Sequence, residues 1–142
     1  FNFDIAFEFA KWNKEYKLGI AFDSSTGFTL PNKAVRSPDL SWIQMDRWNA
    51  LSEEDQMGFA PIVPEFIIEI RSKSDSIETL KEKMKEYIAQ GVKLGWLIDP
   101  PQQKVWIYRA EGSIEIKNSF AEPLLGESVL PGFVLNLSAL WG

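Results

Sequence analysis

The stretch Pro64-Glu65-Phe66-Ile67-Ile68-Glu69-Ile70-Arg71 decides how the rest of the chain is read. Its β-branched and aromatic density predicts a strand, along which side chains alternate between faces with period 2. Phe66, Ile68 and Ile70 therefore share one face, and Glu65, Ile67, Glu69 and Arg71 the other. Ser72-Lys73-Ser74-Asp75-Ser76 then offers helix N-cap residues. A helical stripe of Ile77, Leu80, Met84, Tyr87 and Ile88 follows and stops at Gly91. Leu94-Gly95-Trp96-Leu97-Ile98 reads as a buried strand, ended by Asp99-Pro100-Pro101 as turn chemistry. Pro64 to Asp99 thus has the length of one β-α-β crossover joining two parallel strands.

Upstream, Ile5, Phe9, Trp12 and Tyr16 recur at helical spacing, with Gly19 in the place of a C-terminal cap. Residues 19–22 and 28–30 read as a hairpin around Asp23-Ser24-Ser25-Thr26-Gly27, and residues 39–44 as a further strand. Residues 47–57 read as a short helix or charged loop closed by Gly58. Downstream, residues 105–108 and 114–116 read as two strands, and the apolar tail from Pro131 folds back on the core. Helix, hairpin, strand, strand, helix, strand, hairpin predicts an α/β fold with a central mixed β-sheet flanked by helices. The 142 residues, with 10 Phe, 6 Trp and 3 Tyr, suffice for one core without staples.

Cys and His are both absent. That excludes Ser-His-Asp and Cys-His catalysis, His-bearing nuclease motifs and Cys/His zinc sites, leaving carboxylate chemistry with a hard, oxygen-seeking cation. A net charge of −5 provides no global basic field for nucleic acid, so such a partner needs a local patch. No apolar run approaches a membrane span, and Phe1-Asn2-Phe3-Asp4 lacks a basic leader. A cytoplasmic protein without a membrane partner is expected.

Asp39, in Ser37-Pro38-Asp39-Leu40, sits at the mouth of one strand, and Glu69 lies inside another. Burying a carboxylate is costly unless a cation or good hydrogen-bond donors compensate. One account is a divalent ion shared by Asp39, Glu69 and the Ile70 carbonyl. The other is a partly solvated strand face bearing Glu65 and Glu69, with Asp39 as a capping residue. Lys81 and Lys83 lie at opposite edges of the helix stripe, and helical geometry alone does not choose which one reaches the carboxylates. Trp96, Trp106, Tyr87 and Phe133 read as core, whereas Trp42 and Trp48 are candidates for ligand contact.

Several segments together carry a resemblance: Thr26 to Asn32, Arg36-Ser37-Pro38-Asp39, Pro64 to Asp75, Lys83-Met84-Lys85-Glu86-Tyr87, Gly91-Val92, Gly95 to Pro100, and Leu130-Pro131-Gly132-Phe133. From about Gly19 onward the chain resembles the Uma-type family of bacterial restriction-endonuclease-like proteins. That family lies within the nuclease superfamily named for its Pro-Asp … Asp/Glu-x-Lys motif. The resemblance implies a single restriction-endonuclease-like domain over residues 1–142, lacking an N-terminal segment that relatives carry. It also implies Mg2+, with Mn2+ as substitute, and hydrolysis of phosphodiester bonds in DNA.

By motif position Asp39 and Glu69 match the metal-binding acids, with Ile70 contributing its carbonyl. Arg71 stands where the superfamily pattern has Lys, and Lys83 matches the amine that relatives recruit from the helix. In the mechanism built on these matches, Arg71 is expected to clamp a phosphate oxygen through charge-assisted N–H groups. DNA is the implied partner, and a homodimer a further expected assembly. The alternative function is a catalytically inactive nuclease-like scaffold serving as a DNA-binding or protein-interaction module.

Overall fold

The computed structural model describes residues 1–141. Its centre is the predicted crossover: strand β5 (Phe66–Ile70), helix α4 (Ile77–Ala89) and strand β6 (Leu94–Asp99), with β5 and β6 parallel in the register Ile67 to Gly95 and Glu69 to Leu97. Around it lie β1 (Gly19–Asp23), β4 (Leu40–Gln44), β7 (Lys104–Arg109) and β8 (Ile114–Lys117). The six strands are ordered β1-β4-β5-β6-β7-β8, and every pairing except β5–β6 is antiparallel. The mixed α/β sheet is the one the sequence predicts.

Both faces are covered, which is why β5 and β6 read as nearly unbroken apolar runs. On one face Phe66, Ile68, Trp96 and Ile98 pack against helix α1 (Asn2–Tyr16) through Ile5, Phe9 and Trp12. The returning tail covers the same face. Leu130, Phe133 and Leu135 join this core, and Trp12 Nε1 donates to the Pro131 carbonyl at 2.9 Å. The tail adds the short pair β9 (Leu124–Leu125) and β10 (Val134–Leu135) and helix α5 (Leu137–Leu140). On the opposite face Ile67, Leu97 and Trp106 meet Leu80, Met84 and Tyr87 of α4.

Helix α4 begins and ends as its sequence dictates. Ser76 Oγ accepts from the Thr79 amide at 3.3 Å. At the other end Gly91 has φ +118°, the Gly91 amide bonds the Ile88 carbonyl, and the Val92 amide bonds the Tyr87 carbonyl. This is a Schellman closure, in which a left-handed residue satisfies the last carbonyls and glycine bears no Cβ penalty. Ser76→Ala is expected to destabilise the protein by about 1 kcal/mol, read as a lower urea midpoint with unchanged slope.

Three expectations need correction. Helix α1 is closed by Lys17 in the left-handed region, φ 55°, whose amide reaches the Asn13 carbonyl, and not by Gly19. Gly19 opens β1, where a Cβ would collide with the Trp42 indole. The hairpin of residues 19–30 does not form. β1 finds a five-residue antiparallel partner in β4, while β2 (Phe28–Thr29) pairs with β3 (Val35–Arg36) across a turn at Leu30 to Lys33. Phe28 thereby leaves the main sheet to be buried with Ile43, Ala60 and Ile62. The charged stretch after β4 holds two short helices, α2 (Met45–Asn49) and α3 (Glu53–Met57), split by Ser52, which caps the second. No helix among the described residues is long and apolar enough to cross a membrane.

Candidate active site

Strand alternation sends Glu69 to the α4 face of β5, and the antiparallel run of β4 starts where β5 ends, since Leu40 lies opposite Ile68. Asp39, one residue before β4, is thus brought beside Ile70. The Ile70 amide donates to Asp39 Oδ2 at 2.7 Å. N–H and C=O of one strand residue point the same way, so the Ile70 carbonyl faces the same side. The Asp39 amide in turn lies 3.4 Å from Glu69 Oε1. The two acids and the carbonyl singled out in the sequence converge at the carboxyl end of β5.

Glu69 is 4% exposed, which rules out the solvated-strand account of this residue. Its Oε2 accepts from the Tyr87 hydroxyl at 2.9 Å and sits 3.4 Å from Lys83 Nζ. Lys83 and Tyr87, one helical turn apart on α4, therefore grip the same oxygen. Lys81 points elsewhere: its ammonium lies 4.8 Å above the Trp106 ring and 3.5 Å from Glu78. The choice left open by helical geometry is settled in favour of Lys83 as the amine beside the carboxylates.

Burial pushes the Glu69 carboxyl above its ordinary value; Lys83 opposes this and the Asp39 charge adds to it. Burial likewise raises Asp39, against the Ile70 amide and Lys83. The Tyr87 phenol is driven far above its usual range, first by burial and then by the Glu69 charge. It stays protonated and serves as a fixed donor.

Arg71 shares the Glu69 face, but its Nη1 pairs with Asp99 Oδ2 at 3.1 Å and its Nε donates to the Asp75 carbonyl at 3.1 Å. Asp99, read from sequence as turn chemistry, is fully buried. The loop carrying Asp75 is tied by bonds from the Ser72 amide and hydroxyl to the Asp75 carboxylate. Glu65, at the other end of β5, is also buried and pairs with Arg47 at 2.7 Å, away from Asp39. Trp42 and Trp48 are structural. Trp42 is buried, with its indole N–H on Asn13, and Trp48 packs against Phe22.

Two further residues of the site were not legible as such. Tyr87 falls on the apolar stripe, and only its hydroxyl, four residues after Lys83, hints at a polar task. Arg36 binds Glu86 at 2.6 Å, fastening the β3 hairpin to α4 just ahead of Asp39.

A small hard cation keeps several waters and needs only one or two protein carboxylates. Among the described residues no cluster of three or more His, Cys, Asp or Glu could hold a metal. Asp39, Glu69 and the Ile70 carbonyl form an all-oxygen donor set brought together at one strand end, a chemistry that fits such an ion and offers nothing to a softer one.

A solved structure from Anabaena variabilis ATCC 29413, described as a "putative nuclease" of DUF820, superposes with a TM-score of 0.83 at 22% identity, covering 99% of this chain and 77% of that one. No protein of curated function matches the sequence. The family model described as "Putative restriction endonuclease" matches residues 1–138, so that the likeness extends through α1 as well as the segments quoted above. On that match the chain belongs to the Uma2 family of restriction-endonuclease-like proteins.

Proposed function

We propose that the protein is a magnesium-dependent DNA endonuclease, able to use manganese, that hydrolyses phosphodiester bonds at the carboxyl end of β5. The observation that carries this reading is the meeting of Asp39, Glu69 and Lys83, from three separate elements, around one buried carboxylate. Asp39, Glu69 and the Ile70 carbonyl would hold the ion. When bound, it supplies a Lewis acid for phosphoryl oxygen and lowers the pKa of water. Tyr87 keeps Glu69 in one orientation, leaving Oε1 on the Asp39 side. Lys83 orients the attacking water or offsets charge developing on phosphorus, and Arg71 clamps a phosphate oxygen through its remaining N–H groups. The net charge of −5 predicts weak, salt-sensitive binding confined to this site.

Calorimetric titration of Mn2+ and Mg2+ into the purified chain tests the site without knowledge of a target sequence. Saturable binding by the parent that disappears in Asp39→Ala, together with Mg2+-dependent nicking of plasmid, is the expected result. A second reading rests on Arg71, whose guanidinium stands in the Lys place and is already paired with Asp99. On that reading the chain is an inactive nuclease-like scaffold that binds DNA or protein. A folded parent that binds neither ion would favour it.

A further inference from the structure

Arg71 directly follows the last residue of β5, and Asp99 ends its parallel neighbour β6. Ile70 lies opposite Ile98, and the Arg71 amide bonds the Ile98 carbonyl. By strand alternation Glu69, Leu97 and Asp99 face α4 together, so Asp99 lies on the side of the sheet that bears the carboxylate site. Its side chain has no exposure, Oδ2 holds Arg71 Nη1, and Oδ1 has no hydrogen-bond partner. A buried carboxylate with one oxygen unpartnered costs stability that an apolar side chain of similar size would not. What the group does is fix a guanidinium. Nε is taken by the Asp75 carbonyl and one Nη1 hydrogen by Asp99, while the Arg71 side chain stays 19% exposed and its Nη2 donates to no acceptor among the described residues. A guanidinium pinned on two sides presents its remaining N–H groups as a planar fork, the geometry that binds two oxygens of one phosphate.

We propose that Asp99 is a positioning residue that holds Arg71 as a preorganised phosphate anchor beside the Asp39–Glu69 site, with the Asp75 carbonyl as second support. The inference builds on the nuclease reading by naming what fixes the phosphate clamp. Lys83 then works next to Glu69 while Arg71 works on the phosphate, so the cation in the Lys place has changed task and not merely residue type.

The test uses the full chain with 15N-labelled arginine, following the Arg71 Nε–H resonance, assigned by its loss in Arg71→Lys, while inorganic phosphate is added without metal. In the parent the resonance is expected to shift saturably. In Asp99→Asn, which keeps the shape and removes the charge, the midpoint is expected to move to on the order of tenfold more phosphate. Arg71→Lys, which leaves Asp99 intact and lacks the fork, is expected to weaken phosphate binding measured by calorimetry to a similar degree. A parent resonance that ignores phosphate, or a folded Asp99→Asn protein that titrates like the parent, overturns the proposal. So does Arg71→Lys binding phosphate as well as the parent.

Plasmid nicking separates this from the function. Asp99→Asn is expected to lower kcat about tenfold in the parent background and to have no further effect in Arg71→Ala. Equal losses in both backgrounds would mean that Asp99 acts other than through Arg71, and would overturn the proposal. A parent that never nicks DNA, yet loses its phosphate response in Asp99→Asn, would sink the nuclease reading and leave the anchor standing.

Discussion

Glu69→Gln is expected to reduce Mg2+-dependent plasmid nicking by about a thousandfold or more, while making the metal-free protein more stable as pH rises. The first half follows from the donor set. Glu69 is one of only two acids at the site, and losing it removes several kcal/mol of charge stabilisation, about a thousandfold in rate. The second half follows from linkage. The folded-state pKa of Glu69 is raised above its ordinary 4.5, chiefly by burial. Below that ordinary value both folded and unfolded chains are protonated there and the group is neutral to stability. As pH rises through the raised folded value, the unfolded chain has already released a proton that the folded chain still holds, so stability falls.

Asp39 behaves in the same sense, again through burial. Glutamine keeps the acceptor for the Tyr87 hydroxyl and removes the titration. In chelator, the gap between variant and parent melting temperatures should therefore widen from below pH 4.5 toward neutrality. Adding Mn2+ should raise the parent's melting temperature and leave the variant's unchanged. A variant that nicks like the parent, or a gap that narrows with rising pH, would refute the assignment.

How far the site could be read from sequence depended on whether its geometry is local. Alternation along β5 is local, and it correctly separates Glu69 from Phe66, Ile68 and Ile70. The close of α4 is local too, since Gly91 alone supplies the left-handed residue. Lys81 and Lys83 lie outside that reach, because both edges of the stripe are equivalent until the helix is docked. Only the family resemblance distinguished them. That Asp39 shares a site with Glu69 was one of two accounts the residues left open, and the resemblance favoured it; the contact itself is made by the antiparallel entry of β4. Asp99 does end β6 at a turn, as its place before Pro suggests, and only its burial went unread. Trp42 was misjudged because Trp beside polar residues is an ordinary surface signal, while its burial comes from α1, distant in sequence. The hairpin at residues 19–30 failed because turn chemistry at Asp23 to Gly27 says that the chain reverses, not which strand it meets. Ser25 does bond Asp23 there, yet β1 pairs with β4.

Lys83→Met should slow nicking by about a hundredfold to a thousandfold, the loss seen when one preorganised charge or donor is removed from a developing anion. Methionine keeps the length and the apolar stem of the side chain and its place on α4, so the fold is not expected to suffer. Metal binding then shows which role Lys83 plays. Its ammonium lies 3.4 Å from Glu69 and opposes the rise in that carboxyl's pKa. Without it the Glu69 pKa climbs further, and the acid limb of Mn2+ binding, measured by calorimetry across pH, should move to higher pH. Above that limb the opposite holds: a positive charge that competes with the ion for Glu69 is gone, and binding should be as tight as in the parent or tighter. Slow cleavage with intact binding at high pH would place Lys83 in the chemical step. Loss of Mn2+ binding at every pH would make it a structural partner of Glu69. Lys83→Arg should recover part of the rate by restoring the charge, whereas Lys81→Met, which removes the ammonium above Trp106, should leave nicking within about twofold of the parent, as expected of a surface charge off the site. Equal losses at the two positions would mean that the carboxylate contact of Lys83 does not carry the effect.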